Sequence, residues 1–548
     1  MDSTDVVVCG GGPTGLLCAM MLSQKFPHFQ IQLYDEQPTP PPTPTDPLVW
    51  GSNNNTTNLD RFYLIGLGGR GITSLEELGV WDSVQRVAVP VPGRKDWNGK
   101  GVHVQPIETF KTERKYVTQV LPRDKLVSVL YHHIRDCQIN NNHNHDNDNN
   151  NQYHYSYSNI DIQYGCKVEP VDMDRPDGSV TISFSSMDPT VVDTTTATPP
   201  PKQQITTTSS SSSSSSSSLK LSTPILIAAD GSARTFANAM EQQQQHDNNN
   251  KNDAFRVIRY NDDNNQRVYK NIAFSIPNDW RKDMNYAVRT DRVIFDALPA
   301  NHHGDYVGVL LLSKNDDMAR SNVDPNDFRT FLNDHIPQFI HLIDDATIAK
   351  VAKRSPSTLP MFRYVTPRMH HDDGRIVLLG DCAHTVKPYF GMGANSALED
   401  VKLLSHFIDK HQQQHKIKGG TATNTDDDDD DDDKKLLKQA IQDFSTVRSP
   451  DIKVLVEVSH SLDGRGLQGI VFFLIPIILD GIFFKVFPQV FAPNIISMLQ
   501  NEEITFQEAV TRKRMDRIGQ ISILAAIAAF IKYIVDVVVV VATSTMKG

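Results

Sequence analysis

The glycines near the N-terminus are the first residues whose spacing predicts chemistry. Gly10, Gly12 and Gly15 form a GxGxxG pattern between a short apolar strand, Asp5 to Cys9, and a helix, Leu16 to Leu22. Gly10 permits a tight turn, Gly12 lets the backbone approach a pyrophosphate, and Gly15 lets the helix pack on the sheet. The helix N-terminus then offers unpaired N–H groups to the phosphates.

An acidic residue follows at the expected distance. Asp35 closes the next predicted strand, Gln30 to Tyr34, about twenty residues after the last glycine, where a carboxylate can bind ribose hydroxyls. Glu36 is the alternative acid. This order of strand, turn, helix and strand predicts a dinucleotide-binding unit and by itself does not separate FAD from NAD.

A second glycine segment favours FAD over NAD as the predicted cofactor. Gly380-Asp381 follows the predicted strand Ile376 to Leu379 and precedes a predicted helix, Ala394 to His406. The Asp can accept from a ribityl hydroxyl, and the helix N-terminus favours the negative charge of reduced flavin. His384 is interpreted as structural rather than as a base. The segment predicts FAD, with cofactor contacts at Gly380, Asp381, Pro388, Gly391, Gly393 and Ala394.

Two shorter motifs complete the predicted cofactor site. Asp230-Gly231 follows the strand Ile225 to Ala229, and Arg123 opens a helix after the strand Tyr116 to Val120. Alone, each is better explained as structural, and only in combination with the glycine segments do they indicate cofactor binding.

Composition limits the other possibilities. The chain of 548 residues is long enough for two or three domains. Polar runs at 139–152 and 193–218 and an acidic run at 426–433 predict disordered inserts. The five cysteines form no CxxC pair, which favours a reducing compartment and argues against structural zinc. The body of the chain has no basic stripe interleaved with aromatic residues, so nothing indicates that it binds nucleic acid.

The C-terminal segment is long and apolar enough to span a bilayer. Ile521 to Val541 is mostly Ile, Val, Ala and Leu, and it carries Lys532 and Asp536, four residues apart, where they could pair. Arg512 to Arg517 precede it, so the positive-inside rule keeps the main body cytosolic. We expect a tail anchor, with a buried core helix as the alternative.

These motifs together resemble the class A flavoprotein aromatic hydroxylases, the group typified by p-hydroxybenzoate hydroxylase. Within that family, segments 379–400, 70–90, 444–451 and 506–510 and the terminal apolar segment are similar to the branch that hydroxylates kynurenine. The resemblance implies an α/β fold: a Rossmann-like FAD-binding domain, an antiparallel β substrate domain, C-terminal helices and a terminal transmembrane helix. The predicted FAD-binding domain occupies 1–90, 121–240 and 371–410, and the predicted substrate domain occupies 91–120 and 254–370. An acidic disordered insert at 411–435, a helical cap at 436–518 and the anchor at 519–541 follow.

The resemblance also implies an activity. NADPH would reduce FAD, and a flavin hydroperoxide would transfer one oxygen atom of O₂ to a small aromatic amino acid, converting kynurenine to 3-hydroxykynurenine. Arg94 falls on the arginine that binds the substrate carboxylate, Asn395 on an active-site asparagine beside the flavin, and Arg123 on an FAD-contacting arginine. The resemblance therefore implies that Arg94 and Asn395 contact the substrate. No metal and no catalytic triad are expected. The membrane would be the mitochondrial outer membrane.

Some residues keep other functions open. Where that branch uses tyrosines to hold the substrate, this chain has Ile107 and the segment 459–462 without tyrosine. A membrane-associated FAD monooxygenase or epoxidase acting on a lipid or quinone-like ring is the alternative. A non-catalytic binding protein with the same fold is a further one, and the intact Gly380-Asp381 segment argues against it.

Overall fold

The computed structural model describes most of the chain. The described residues are 4–51, 62–101, 103–110, 115–143, 155–186, 219–246, 254–260, 267–418, 426–463 and 474–545. The helices are Pro13–Lys25, Pro47–Trp50, Gly69–Glu77, Trp81–Gln85, Arg123–His143, Thr235–His246, Pro325–His335, Pro337–Ile340, Asp345–Lys353, Met392–Lys418, Asp426–Ser461, Ile475–Val486, Ile495–Leu499 and Phe506–Thr545. The predicted insert 193–218 lies outside the described residues.

A six-stranded sheet holds the N-terminal strand Val6–Cys9 in its interior, between Ile225–Ala228 and Ile31–Tyr34. These pairs are parallel, and the burial of the whole Val6–Cys9 strand is typical of a sheet covered on both faces. Because the carboxyl ends of parallel strands meet at one edge, the segments that follow Cys9 and Ala228 lie together. The strand order is His370–His371, Ile376–Leu378, Ile225–Ala228, Val6–Cys9, Ile31–Tyr34, Ile160–Gln163.

A second, seven-stranded sheet corresponds to the predicted substrate domain. Its pairs are antiparallel except Met284–Arg289 with Gly93–Asn98, which run parallel. The predicted antiparallel substrate sheet is therefore confirmed, and its one parallel pair forms where Gly93–Asn98, from an earlier part of the chain, joins the strands after residue 267. Three helices between 325 and 353 cover one face around Phe274, Phe295 and Phe339. The order is Ser357–Thr358, Arg267–Ser275, Asp305–Ser313, Ile294–Pro299, Met284–Arg289, Gly93–Asn98, Ile107–Phe110.

Three small sheets join these layers. Buried Val91 and Val120 pack with Ala273 and Val307, so one of the small sheets contacts the seven-stranded sheet directly. The small sheets are Leu219–Thr223 with Val180–Ser186 and Cys166–Asp172; Arg256–Arg259 with Arg363–Thr366 and His384–Thr385; and Leu64–Leu67 with Thr118–Pro122 and Val89–Val91.

Two predicted inserts are partly helical. Helix Arg123–His143 extends into the predicted insert 139–152, and the predicted acidic insert 411–435 is helical at both ends, up to Lys418 and from Asp426. The disorder prediction is wrong for those residues. The acidic run opens a helix, where the helix dipole favours negative charge, and Lys435 pairs with Asp431 at 2.7 Å.

The last helix, Phe506–Thr545, contains the predicted anchor. Its part from Phe506 to Val539 is long and apolar enough to cross a membrane, with a mean hydropathy of 2.2 in its most apolar window and none of that window buried. That exposure opposes the alternative of a buried core helix. Within the described part of the chain, Lys532 and Asp536 form no ion pair, so the predicted pairing is not observed.

Candidate FAD site

The four sequence motifs converge on the N-terminal glycine turn. A Cβ placed on Gly12 would lie 3.2 Å from Nη2 of Arg123, and one placed on Gly380 would lie 2.9 Å from Oγ1 of Thr14. A Cβ on Gly10 would overlap the carbonyl oxygen of Ala229, immediately before Asp230. Segments far apart in sequence therefore share one small volume, and glycine is what lets them approach.

The turn itself is built to leave N–H groups open. Gly10 has φ +106°, in the region that favours glycine, and a Cβ on Gly15 would overlap the carbonyl oxygen of Gly10. Gly12 precedes helix Pro13–Lys25 as its N-cap and has no side chain to cap it, and the helix has Pro at its first position. The first-turn N–H groups and the positive end of the helix dipole thus face the turn, as an anion site requires.

Asp35 lies against this turn at the end of strand Ile31–Tyr34. Its Oδ2 accepts from the backbone N–H of Gly11 at 2.6 Å, and its Oδ1 accepts from that of Gln37 at 2.8 Å. Each carboxylate oxygen can accept a further bond, so the half-buried group can hold the turn and still receive a ribose hydroxyl. Glu36, the alternative acid, is exposed.

Arg123 borders the turn at Gly12. Its Nη1 donates to Asp124 at 2.9 Å, and the side chain is about half exposed. The proximity of its guanidinium to Gly12 gives it a position from which it can reach a pyrophosphate.

Asp230 has one buried carboxylate oxygen that accepts no hydrogen bond from the described residues. Its Oδ2 accepts from the N–H of Thr235 at 2.5 Å, which caps the helix Thr235–His246. Its Oδ1 is buried and has no hydrogen-bond partner among the described residues, and burial raises the pKa of the carboxyl. An unsatisfied buried acceptor is costly, so a donor from a bound cofactor would stabilise it. Gly231 follows with φ +59°.

The second glycine segment is held in place by the helix that follows it. Gly380 has φ +66° and donates its N–H to Oδ2 of Asp400 at 2.9 Å, while Asp381 points into solvent. Gly391 has φ +64° and ends the short turn Pro388–Phe390. Helix Met392–Lys418 begins there, two residues before the predicted Ala394, so Gly393 and Ala394 lie in its first turn.

Asn395 is occupied by backbone contacts. Its Oδ1 accepts from the N–H groups of Gly68 at 2.8 Å and Gly71 at 3.2 Å, and its Nδ2 donates to the carbonyls of Gly66 at 2.8 Å and Gly391 at 2.5 Å. The amide has two donors and two acceptor positions, and all are used. Its contacts show a buried clamp between helices and do not support the predicted substrate contact.

The sequence prediction missed a buried ionic network behind the second glycine segment. Asp400 and His384 are fully buried and joined at 2.8 Å through Nε2, and Arg448 donates from Nε to Asp400 at 2.8 Å. Burial works to raise the pKa of Asp400, but His384 and Arg448 outweigh it and the pKa lies below its usual range. Asp400 thus joins the Gly380 turn to helix Asp426–Ser461.

The network continues toward the C-terminal helices. Glu399 accepts from Arg448 at 2.9 Å and also pairs with Arg70, which donates to the carbonyls of Leu499 at 2.9 Å and Ile504 at 2.6 Å. Asp451 accepts from Arg448 at 3.0 Å. Adjacent acids four and five positions after Asn395 in an otherwise apolar helical pattern are the signal that could have identified it.

Arg94 lies apart from the glycine turn, on the seven-stranded sheet. Its Nε and Nη2 donate to the two carboxylate oxygens of Asp96 at 2.7 and 2.6 Å, and Asp296 lies 3.5 Å away. Arg289 donates to the same Asp296 at 2.9 Å. The charges of Arg94 and Arg289 are therefore balanced by those of Asp96 and Asp296. The Arg94 guanidinium, which is predicted to bind a substrate carboxylate, already binds the Asp96 carboxylate.

The chain is similar to known FAD-binding proteins over part of its length. The chain matches the family of FAD binding domains over residues 202–412. Kynurenine 3-monooxygenase from Chaetomium globosum is 27% identical over 141 residues, which cover 26% of this chain and 26% of that protein. The enzyme of that name from Mycosarcoma maydis is 24% identical over 201 residues, covering 36% of this chain and 29% of that protein. The matched segments thus span less than a third of these relatives.

Solved structures match the fold over most of the chain. A mutant of 2-methyl-3-hydroxypyridine-5-carboxylic acid oxygenase superposes with a TM-score of 0.52 at 14% identity, covering 86% of this chain and 96% of that one. The complex of CtdE with FAD and a substrate gives a TM-score of 0.52 at 12% identity, covering 86% and 91%. At such identities the likeness concerns the fold alone.

Proposed function

We propose that this chain, which belongs to the class A FAD-dependent aromatic hydroxylases, hydroxylates a small aromatic amino acid. The proposed reaction converts kynurenine to 3-hydroxykynurenine and uses NADPH and O₂ as co-substrates. The observation that carries the proposal is the meeting of Gly12, Arg123, Thr14 and Gly380 around one turn. The kynurenine assignment rests on the names of the curated relatives.

The residues present fit FAD. Open N–H groups at the start of helix Pro13–Lys25 and the guanidinium of Arg123 suit the pyrophosphate, and Asp35 and the unfilled Oδ1 of Asp230 suit cofactor hydroxyls. Gly391 and the first turn of helix Met392–Lys418 suit the flavin ring. When bound and reduced by NADPH, FAD supplies the activation of O₂ for transfer of one oxygen atom to an electron-rich ring.

The chain's own contribution is positioning and electrostatics. Asp400 fixes the Gly380 turn through its backbone N–H, and Asn395 fixes the backbone of Gly66, Gly68 and Gly71 against the start of the long helix. The N-terminus of that helix offers positive charge where negative charge develops. These contacts hold the site before the cofactor and the ring arrive.

For a substrate carboxylate, Arg94 would have to exchange partners. The bidentate geometry that Asp96 now satisfies is the geometry with which a guanidinium binds any carboxylate. We propose that the amino-acid carboxylate of kynurenine takes the position of the Asp96 carboxylate.

The terminal helix supports a membrane-anchored enzyme. We place its exposed apolar part in a bilayer, with the body on the cytosolic side and the mitochondrial outer membrane as the location that the kynurenine resemblance implies. The lipid contact would then be made mainly through the segment 519–541.

A neutral ring is the second candidate substrate. Arg94 is already neutralised by Asp96, which favours a lipid or quinone-like substrate without a carboxylate, and an anchored enzyme has direct access to such molecules. A non-catalytic binding protein is the remaining alternative, and purified protein that stays colourless when FAD is added would favour it.

The decisive experiment is product analysis. The purified full chain with FAD should oxidise NADPH faster in the presence of kynurenine and form 3-hydroxykynurenine stoichiometrically, as measured by mass spectrometry. Oxidation that yields only peroxide would reject kynurenine, and the same assay with quinone-like rings tests the second candidate.

A further inference from the structure

A short helix beside the base of the terminal helix exposes a row of large apolar side chains. In Ile475–Val486, Ile475, Ile478, Ile482 and Val486 are 45%, 49%, 54% and 59% exposed. They recur at intervals of three or four residues, so they share one face of the helix. Contiguous exposed apolar surface of this kind marks an interaction site.

The opposite face of this short helix is bound to the terminal helix by charge. Asp480 is 1% exposed, and its Oδ1 is 3.3 Å from Nζ of Lys513, 3.3 Å from Nη2 of Arg517 and 3.0 Å from Nε2 of Gln520. Three donors on one carboxylate fix the short helix next to the point where Ile521 begins the apolar segment.

Aromatic packing adds to this attachment. Phe483, also on the inner face, makes an edge-to-face contact with Phe491 at 4.9 Å between ring centroids. A Cβ on Gly519 would lie 3.3 Å from the Phe491 ring, so the ring packs against the terminal helix. The short helix is thus held at Asp480 and, about one turn further on, at Phe483.

Neighbouring segments also expose large apolar side chains. Phe487 and Val490 follow the short helix and are 47% and 58% exposed, and Met515 and Ile518 are exposed on the terminal helix just before the apolar segment. Lys485 and Arg514 lie exposed in the same region. Apolar side chains interspersed with basic ones at the base of a span are typical of the headgroup boundary of a bilayer.

We propose that Ile475–Val486 is an interfacial helix that lies on the same bilayer the terminal helix enters, with Ile475, Ile478, Ile482 and Val486 facing the acyl chains. The inference rests on the proposed membrane anchoring and adds a second contact to it. Because Asp480 joins the two helices, the second contact fixes the orientation of the catalytic body toward the membrane.

Tryptophan quenching by brominated lipid tests the proposal in the full chain reconstituted into phosphatidylcholine vesicles. Ile482→Trp replaces an exposed side chain, so folding is retained and checked by FAD content. After subtraction of the emission of the unsubstituted chain, Ile482→Trp should lose emission in brominated vesicles. Val447→Trp, at an exposed site on helix Asp426–Ser461, is the matched control and should keep its emission.

A third variant distinguishes a failure of the interfacial helix from a failure of the membrane anchor. Phe530→Trp reports on the terminal helix itself. Quenching of Phe530→Trp with no quenching of Ile482→Trp would overturn the interfacial helix while the anchor stands. No quenching of Phe530→Trp would reject the anchor, and with it the premise. Equal quenching of Val447→Trp would show non-specific association and would also overturn the proposal.

Discussion

Arg94 and Asp96, two residues apart on the strand Gly93–Asn98, form a bidentate ion pair with N–O distances of 2.7 and 2.6 Å. Burial works to lower the pKa of Arg94, but Asp96 outweighs it, so the guanidinium stays charged. The pair links the fold to the question of substrate, because a substrate carboxylate and Asp96 would compete for the same donors.

Substitution of Arg94 tests whether it contacts the substrate. Arg94→Ala should raise the KM for kynurenine by about ten- to a hundredfold, since charge-assisted hydrogen bonds contribute about 1.5–3 kcal/mol, while FAD content stays normal. Steady-state NADPH oxidation measures this. Arg281→Ala is the matched control, because Arg281 forms the same bidentate pair with Asp283 at 2.8 and 2.6 Å in an exposed position. An unchanged KM for Arg94→Ala would remove Arg94 from the site.

Substitution of Asp96 tests the proposed competition. Asp96→Asn keeps the shape of the side chain and removes its charge, so Arg94 becomes available and the KM for kynurenine should fall. Asp283→Asn should leave that KM unchanged. A higher KM for Asp96→Asn would show that Asp96 orients Arg94 for the substrate instead of competing with it.

Gly12→Ala separates cofactor binding from folding. The backbone at Gly12 is extended with φ −71°, and the added Cβ would meet only the flexible Arg123 side chain, so the fold should be retained. The methyl group would occupy the approach of the pyrophosphate, and FAD affinity should fall by about tenfold or more. Titration of apoprotein with FAD measures it. Gly481→Ala, which meets no atom within 4 Å, should bind FAD normally; equal affinities would place the pyrophosphate elsewhere.

Arg448 should be a major source of stability. Arg448→Met removes the buried cation that Asp400, Glu399 and Asp451 share, and breaking such a buried pair costs about 3–5 kcal/mol. The free energy of unfolding from urea titration should fall by that amount. Arg320→Met removes an exposed partner of Asp317 and should change stability by about 0–1 kcal/mol. Equal effects would show that the buried network contributes no more than a surface pair.

Asp230 should make the stability of the apoprotein depend on pH. Burial raises its folded pKa above the unfolded value of about 3.9, so its ionised form costs stability above the folded pKa and the cost disappears as the pH falls toward the unfolded value. Asp230→Asn should therefore melt at a higher temperature than the unsubstituted apoprotein at pH 7, with a smaller difference near pH 4. The exposed Asp381→Asn should show no such difference, and a difference for Asp230→Asn that grows on acidification would contradict the assignment.

Local pattern determined the cofactor half of the protein. A GxGxxG turn between a buried strand and a helix, with Asp35 after the next strand, depends on backbone conformations that only those residues permit, so it could be read without a structure. The long apolar C-terminal segment could be recognised for the same reason. Both are short-range properties of consecutive residues.

What the sequence could not determine are the partners that side chains choose across the fold. Neighbouring residues gave no indication that Asn395 would bind the backbone near Gly68, or that Asp400 would meet His384 and Arg448, because these contacts join distant segments. The acidic run was misjudged because composition cannot show a helix start. Tertiary structure decided that residues 93–98 form a strand, because this strand pairs with Met284–Arg289 and Ile107–Phe110. Once that strand exists, side chains two apart share one face, and Arg94 meets Asp96.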